Sequence, residues 1–117
     1  MKTPSLPEFN YQPRKYLGPS ADEVLAKRKQ FMNPGIFLYY KKPIMLVEGK
    51  MQYVWDETGK RYLDGLGGIV TVSVGHCHPY VVAVANKQNE LLQHSTTIYL
   101  QPNVALYAEK LASKMPG

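Results

Sequence analysis

The segment Gly67–Pro79 constrains the fold more than any other part of this sequence, because three glycines and a proline punctuate an apolar run. The glycine pair at its start predicts a bend, since glycine adopts backbone conformations that a Cβ atom forbids. Ile69–Val74 is then predicted to be an extended apolar segment that must be covered. The glycine and proline that follow predict a sharp entry into a helix. The segment is either a buried loop that packs a core, which is the commoner case, or the lining of a pocket.

Charge and cysteine content limit the class of protein. The chain has 117 residues and a net charge of +5, with an isoelectric point of about 9.3. The densest basic run, Lys27–Lys29, follows two acidic residues in a helical pattern, which is typical of a solvated helix face rather than a phosphate-binding surface. A nucleic-acid-binding function therefore rests on the isoelectric point alone, and we predict neither nucleic acid nor a membrane as partner. The single cysteine, Cys77, excludes an intrachain disulfide and favours a reducing compartment.

The first part of the chain predicts an extended arm followed by a helix. Met1–Pro19 contains four prolines and no periodic apolar pattern, and it lacks the features of a secretory or transit signal. Its tyrosines either dock on another surface or belong to an undocked tail. Ser20 and Glu23 then form a capping box, and apolar residues at helical spacing follow as far as Met32. An aromatic run, Ile36–Lys42, comes next and is typical of a core or an interface.

Three short strands are predicted in the middle of the chain. Ile44–Glu48 and Met51–Asp56 flank Gly49–Lys50, which we predict to be a two-residue hairpin turn. Arg61–Asp64 adds a third strand, and an antiparallel meander is the simplest arrangement of the three.

Two amphipathic helices follow the predicted strands. Pro79–Gln93 carries an apolar stripe, and so does a helix that we predict from Val104 to Met115. An apolar helix face needs a partner surface, and the sequence predicts no buried parallel strand for these helices to cover. We therefore interpret the chain as the front part of a larger protein. Its own fold class is predicted to be α+β, with an N-terminal helix, a three-stranded antiparallel meander and two further helices.

No residue cluster in the sequence forms a complete catalytic or metal site. His76, Cys77 and His78 are too closely spaced for a closed tetrahedral metal site, so a structural role for the two histidines at a helix entrance is the better interpretation. Motifs of the Walker, GxGxxG, GxSxG and HExxH types are absent. None of the lysines lies in an apolar setting that would lower its pKa for Schiff-base chemistry.

Several short motifs nevertheless occur in an order that resembles one enzyme family. They are Val47-Glu48-Gly49, Val54-Trp55-Asp56, Gly59–Gly65, Gly68-Ile69 and Gly75–Pro79. On these residues the sequence resembles the N-terminal part of the class III pyridoxal-phosphate-dependent aminotransferases, over nearly its whole length. Two further stretches, Leu92–Thr96 and Tyr107–Leu111, are most similar to the mitochondrial alanine–glyoxylate members of that family.

The resemblance implies a fold and a set of site residues. The family has the α/β architecture of fold type I with an additional small domain, and its members work as homodimers. Residues 1–19 would then be an arm, residues 20–64 the N-terminal part of the small domain, and residues 65–117 the loop and helices that lead into the large domain. The positions implied to contact substrate are Ile69, Val70 and Tyr39. The positions implied to lie near the dimer interface and the partner's active site are Thr96, Thr97 and Ile98.

The resemblance also implies an activity. The full-length protein would use pyridoxal 5'-phosphate to transfer an amino group from alanine, or a similar donor, to glyoxylate or another 2-oxo acid. The cofactor-binding residues and the Schiff-base lysine would lie beyond Gly117, so the chain alone would be inactive and would contain no catalytic residue. A mitochondrial location is implied, although no transit peptide is evident. The alternative is a non-catalytic interaction module that pairs with a full-length aminotransferase subunit.

Overall fold

The computed structural model describes residues 9–116, which form four helices and one three-stranded sheet. They belong to two compact units that divide between Pro79 and Tyr80. Within the described range, no helix combines the length and the apolar character that crossing a membrane requires. The elements, in chain order, are α1 (Ala21–Phe31), β1 (Leu46–Lys50), β2 (Tyr53–Asp56), β3 (Arg61–Leu63), α2 (Gly67–Val70), α3 (Pro79–Leu91) and α4 (Pro102–Ala112). The predicted α+β fold class is confirmed.

Helix α1 begins at the predicted capping box. The Ser20 hydroxyl accepts a hydrogen bond from the Glu23 amide at 3.3 Å, and the Glu23 carboxylate accepts one from the Ser20 amide at 2.8 Å. These bonds satisfy amides that have no partner inside the helix. No residue of α1 is buried, and Phe31 is 76% exposed. Of its predicted apolar stripe, Val24 and Leu25 are therefore half-buried, whereas Phe31 and the following Met32 are exposed.

The three strands form the predicted antiparallel meander, in the order β1–β2–β3. The predicted position of the first turn is wrong, because Lys50 still pairs with Tyr53 and the turn consists of Met51 and Gln52. Gly49, which we had placed in the turn, is a strand residue. A Cβ atom at Gly49 would lie 2.9 Å from the Cβ and Cγ atoms of the histidine at position 76. A glycine is therefore needed here because His76 packs closely against β1, and not because the chain turns.

Strand β2 supplies the core of the first unit. Its buried apolar residues are Tyr53, Val54 and Trp55. The N-terminal arm packs on them, with ring centroids 5.0 Å apart for Phe9 and Tyr53 and 5.4 Å apart for Tyr11 and Trp55. Aromatic pairs at such distances attract each other beyond the effect of buried area. Of the two interpretations of the arm, the structure supports docking from Phe9 onward; the residues before it lie outside the described range.

Glu48 on β1 fastens the arm to the sheet. Its carboxylate accepts a hydrogen bond from the Tyr11 hydroxyl and another from the Arg14 amide, the latter at 2.9 Å. The Arg14 guanidinium adds an ion pair at 3.7 Å. The Tyr11 hydrogen bond is the main reason that the pKa of Glu48 lies below its ordinary value. The carboxylate therefore stays charged and holds the arm at neutral pH.

Asp56 closes the turn between β2 and β3 with its own network. One carboxylate oxygen accepts from the Thr58 hydroxyl at 2.6 Å and from the amides of Thr58 and Lys60, both at 3.0 Å. The other accepts from the Tyr62 hydroxyl at 2.7 Å. Burial opposes the negative charge of Asp56, but these hydrogen bonds outweigh it and lower the pKa to about 2. The turn between β2 and β3 is therefore stabilised by hydrogen bonds to Asp56, the last residue of β2.

The second unit contains α3 and α4, close to the two helices predicted there. Gln101 caps α4 by accepting a hydrogen bond from the Val104 amide at 2.9 Å. Asn103 of α4 donates to the side chain of Gln88 of α3 at 2.8 Å. No residue of either helix is buried. Their apolar stripes are therefore exposed, with side chains that include Val81, Val84, Leu91, Val104, Tyr107 and Leu111.

Candidate functional site

The loop between β3 and α3 is fastened to the β1–β2 hairpin at both ends. At its start, the Asp64 amide donates to the Gln52 carbonyl at 2.9 Å. At its end, His76 and Met51 exchange two backbone hydrogen bonds of 2.8 and 2.7 Å. Gly75 permits this contact, because a Cβ atom there would lie 2.9 Å from the Met51 Cα and the glycine has a φ of +95°. The residues between the two attachments form a closed loop on the hairpin.

The short element α2 (Gly67–Val70) lies inside this loop and is a single left-handed turn rather than a right-handed helix. Gly67, Gly68, Ile69 and Val70 have φ values of 57°, 60°, 59° and 59°. The two glycines adopt this conformation without steric penalty. The isoleucine and valine are β-branched, and a left-handed conformation costs an L-residue roughly 1–2 kcal/mol. The predicted extended conformation of Ile69–Val74 is therefore wrong, because Ile69 and Val70 are left-handed and residues 71–74 continue as turns instead of a strand.

Two hydroxyl groups stabilise the strained backbone. The Thr71 hydroxyl donates to the Gly68 carbonyl at 2.6 Å, and the Ser73 hydroxyl donates to the Val70 carbonyl at 2.7 Å. Carbonyl groups that leave regular secondary structure need such partners or water. The polar residues of this apolar segment therefore satisfy the backbone of the turn.

Asp64 and His76 connect the start of the turn to the end of the loop. One oxygen of the Asp64 carboxylate accepts from the amides of Leu66 and Gly67 at 3.0 and 2.9 Å. The other oxygen lies 2.7 Å from Nε2 of His76. The histidine is the main cause of a pKa of Asp64 below its ordinary value, and the two amides lower it further. Only 17% of the Asp64 side chain and 26% of the His76 side chain is exposed.

The loop borders an open cavity of about 370 Å³. Asp64, His76 and Val70 lie in its wall, beside apolar residues of the same loop and of the hairpin. Its volume falls in the range of sites that bind small molecules. Strained backbone beside a cavity is typical of functional sites. This loop is therefore the candidate functional site of the first unit.

Comparison with known families identifies the chain. The family model for aminotransferase class III matches residues 39–117. The chain belongs to the class III aminotransferases. Over 112 residues it is 53% identical to the Arabidopsis thaliana protein named alanine–glyoxylate aminotransferase 2 homolog 2, mitochondrial, in an alignment that covers 96% of this chain and 24% of that protein. The human protein named alanine–glyoxylate aminotransferase 2, mitochondrial, is 43% identical over 113 residues, which are 97% of this chain and 22% of that protein.

Solved structures show the same fold for this part of the chain. An (S)-enantioselective omega-transaminase from Thermomicrobium roseum matches with a TM-score of 0.72 at 31% identity, over 87% of this chain and 24% of that chain. A phospholyase from Arthrobacter, solved with phosphoethanolamine, matches with a TM-score of 0.69 at 39% identity, over 80% of this chain and 22% of that chain. The chain thus spans about a quarter of the length of the proteins it matches. The predicted fold, the N-terminal part of a fold type I aminotransferase, is confirmed.

The structure places the three positions implied to contact substrate on the surface of this class III chain. Ile69 and Val70 are 77% and 80% exposed, so neither is a core residue within the described range. Val70 lines the cavity, whereas Ile69 is adjacent to it in sequence but is not a lining residue. Tyr39 is 86% exposed and makes an edge-to-face pair with Tyr40, with ring centroids 5.3 Å apart. Ile69 and Val70 are consecutive residues of the left-handed turn. The roles of all three positions in substrate binding stay predictions.

The three positions implied to lie at the dimer interface belong to the second unit. Thr96, Thr97 and Ile98 follow α3 and are exposed, with Ile98 at 80%. The Tyr99 amide donates to the Thr96 carbonyl at 3.2 Å, which makes a turn of this segment. The interface role of these three positions stays a prediction.

Sequence reasoning missed the connection between Asp64 and His76. The structural role of His76 stays a prediction, and its imidazole is bonded to Asp64. His78 has a buried Nδ1 without a hydrogen-bond partner among residues 9–116. The sequence feature that could have predicted the role of Asp64 is its position just before a glycine-rich bend. Aspartate at such a position often accepts hydrogen bonds from amides two and three residues further on. The structure describes no cluster of three metal-ligating side chains in this range.

The described residues do not fit the cofactor that class III aminotransferases imply. A Schiff-base lysine needs an apolar setting that lowers its pKa. Every lysine in residues 9–116 is exposed except Lys50. That lysine is half-buried, and its Nζ atom donates to the Cys77 carbonyl at 3.3 Å. We therefore assign no cofactor contact and no chemical step to these residues.

Proposed function

We propose that this chain is the N-terminal part of a pyridoxal-phosphate-dependent aminotransferase that transfers an amino group from alanine, or a similar donor, to glyoxylate or another 2-oxo acid. The observation that carries the proposal is 53% identity, over 96% of the chain, to a protein named as an alanine–glyoxylate aminotransferase. The human relative carries the same activity in its name. Both names include the word mitochondrial, which supports a mitochondrial location for the full-length protein.

Within that enzyme, we assign the left-handed turn to the wall of the substrate pocket. Ile69 and Val70 are exposed apolar side chains on a backbone that both ends of the loop fasten to the hairpin. Such side chains exclude water and orient a small substrate by shape. Tyr39 is proposed as a further substrate contact because it is a highly exposed aromatic residue.

The remaining assignments concern domains, subunits and cofactor. Residues 1–19 would form an arm, residues 20–64 part of a small domain, and residues 65–117 the approach to a large domain. Thr96, Thr97 and Ile98 would approach the partner subunit of a homodimer. Because the described residues do not fit pyridoxal phosphate, the groups that hold it would belong to other parts of the full-length enzyme.

The proposal is tested with the protein that the reading frame around this chain encodes. We expect the frame to continue after Gly117, and the full-length protein to form glycine and pyruvate from glyoxylate and alanine. Both products are measured with the cofactor present and after its removal. Absence of amino transfer across a panel of amino acids and 2-oxo acids would overturn the proposal.

The chain by itself is expected neither to bind pyridoxal phosphate at a defined lysine nor to transfer amino groups. Its exposed lysines lack the apolar setting that favours a stable adduct. The measurement is borohydride reduction at low cofactor concentration, followed by mass analysis of peptides, with the full-length protein as positive control. One stoichiometric adduct at a single lysine would contradict this expectation.

In the full-length enzyme, Ile69→Ala is expected to change the preference among amino donors more than the free energy of unfolding. The reason is that we assign Ile69 to the wall of the substrate pocket, whereas truncation of a buried core isoleucine would cost about 2–5 kcal/mol of stability. Ile69→Gly is expected to be more stable than Ile69→Ala, because glycine relieves the strain of a φ of 59°. Urea denaturation and donor kinetics on the same variants measure both effects. A loss of stability above about 2 kcal/mol with unchanged donor preference would identify Ile69 as a core residue.

A non-catalytic interaction module is the second candidate function. The observation that favours it is that α3 and α4 have no buried residue although both carry several exposed apolar side chains, since clustered apolar side chains on a surface mark interaction sites. Such a module would co-purify with a full-length aminotransferase subunit. A monodisperse monomer that does not bind that subunit would exclude it.

A further inference from the structure

The left-handed turn needs contacts that hold it in place. Ile69 and Val70 both carry backbone strain at φ values of 59°, and their exposed side chains offer little packing in return. The hydroxyl bonds of Thr71 and Ser73 lie within the turn itself, so they shape it without fixing its position on the hairpin. A side-chain contact that fixes the start of the turn comes from Asp64, which binds the Gly67 amide.

We propose that Asp64 and His76 are positioning residues, which fix the left-handed turn on the hairpin and thereby set the amino-donor selectivity of the enzyme. This inference rests on the proposed function, because it assumes that Ile69 and Val70 contact the substrate. Neither Asp64 nor His76 needs to touch the substrate in this role.

The hairpin holds His76 rigidly. Its backbone exchanges two hydrogen bonds with Met51, and its Cβ and Cγ atoms lie against the Cα of Gly49, where there is no room for a side chain. The imidazole is therefore a fixed point of the hairpin. Its Nε2 atom donates to one oxygen of Asp64.

Asp64 connects the rigidly held imidazole of His76 to the left-handed turn. Its second oxygen accepts from the amides of Leu66 and Gly67, which are the last amide before the left-handed residues and the first amide within them. Rotation of the carboxylate would release both amides at once. Ile69 follows only two residues after Gly67, so a shift at the start of the turn displaces it as well. Misplacement of a substrate-contacting group by about 1 Å is enough to change rates by up to roughly a hundredfold.

Asp56 provides a matched control. Asp56 ends β2, whereas Asp64 follows β3. Like Asp64, Asp56 accepts hydrogen bonds from two amides on one oxygen and binds a side chain with the other, and the Thr58 hydroxyl adds one more bond. It closes the turn between β2 and β3 and has no contact with the left-handed turn. Asp56→Ala therefore reports the general cost of losing such a network.

The experiment compares Asp64→Ala, His76→Ala, His76→Gln and Asp56→Ala in the full-length protein. The first readout is hydrogen exchange of the amides in residues 66–72, and the second is the ratio of kcat/KM for alanine to kcat/KM for a bulkier amino donor. We expect faster exchange and a change of roughly tenfold or more in this ratio for Asp64→Ala and His76→Ala. His76→Gln keeps an N–H donor, so its hydrogen exchange and its kcat/KM ratio are expected to lie close to those of the unchanged protein. Asp56→Ala should lower stability and leave the hydrogen exchange of residues 66–72 and the kcat/KM ratio unchanged.

The two readouts separate this inference from the proposed function. If the full-length protein transfers no amino group, the proposed function fails, whereas hydrogen exchange still tests whether the pair holds the turn. Unchanged exchange in Asp64→Ala and His76→Ala would overturn the positioning role. Faster exchange with an unchanged selectivity ratio would overturn the claim that the pair sets selectivity. Equal changes in Asp56→Ala would show a general loss of stability and would also overturn it.

Discussion

Gly75→Ala is expected to lower the free energy of unfolding of the full-length protein by about 2–5 kcal/mol, as the sum of backbone strain and overpacking. Gly75 has a φ of +95°, which an alanine adopts only with strain. The added Cβ atom would also lie 2.9 Å from the Cα and 3.1 Å from the carbonyl carbon of Met51. Backbone atoms cannot move aside as a flexible side chain does, so the loop would separate from the hairpin at this point.

Two other glycines of the chain separate these two causes. Gly59 has a φ of +85° but no atom within 4 Å of its Cβ position, so Gly59→Ala should cost only the strain of about 1–2 kcal/mol. Gly65 has neither a positive φ nor a nearby atom, and Gly65→Ala should have almost no effect. Urea denaturation of the three variants measures the series. Equal losses in Gly75→Ala and Gly59→Ala would show that the contact with Met51 is unimportant.

The chain alone is expected to bind a hydrophobic dye strongly and to melt without a sharp transition. Its described core consists of a single strand, β2, with aromatic residues of the arm packed on it. Helices α3 and α4 have no buried residue, although both carry apolar stripes. Secondary structure with exposed apolar surface and little fixed packing is typical of loosely packed states. Circular dichroism should therefore show helix, while dye fluorescence should exceed that of the full-length protein many times per mole.

Helix α4 offers a direct control for the origin of the dye signal. Val104, Tyr107 and Leu111 lie on one stripe of the helix and are 68%, 68% and 40% exposed. Their joint replacement by glutamine should reduce dye binding while the helix is retained. A cooperative thermal transition in a monomer that binds no dye would instead show a complete domain, and it would favour the interaction module over the enzyme part.

The sequence by itself determined the features that depend on residues close together in the chain. The capping box of α1 spans four neighbouring positions, and its two hydrogen bonds form as predicted between Ser20 and Glu23. The meander follows from three short β-rich runs separated by turn residues, which leave few alternative pairings. The ordered motifs also sufficed to indicate the family that the comparisons show.

Only the tertiary structure decided the geometry of the candidate site. Gly49 suggested a turn, but it is needed where His76 approaches the strand, so the actual turn lies at Met51 and Gln52. The bond that links Asp64 to His76 joins residues twelve positions apart. The left-handed conformation at Ile69 contradicts the preference of a β-branched residue. Local propensity cannot predict such a conformation, because the contacts that hold the loop in place come from a hairpin formed by residues that precede it in the sequence.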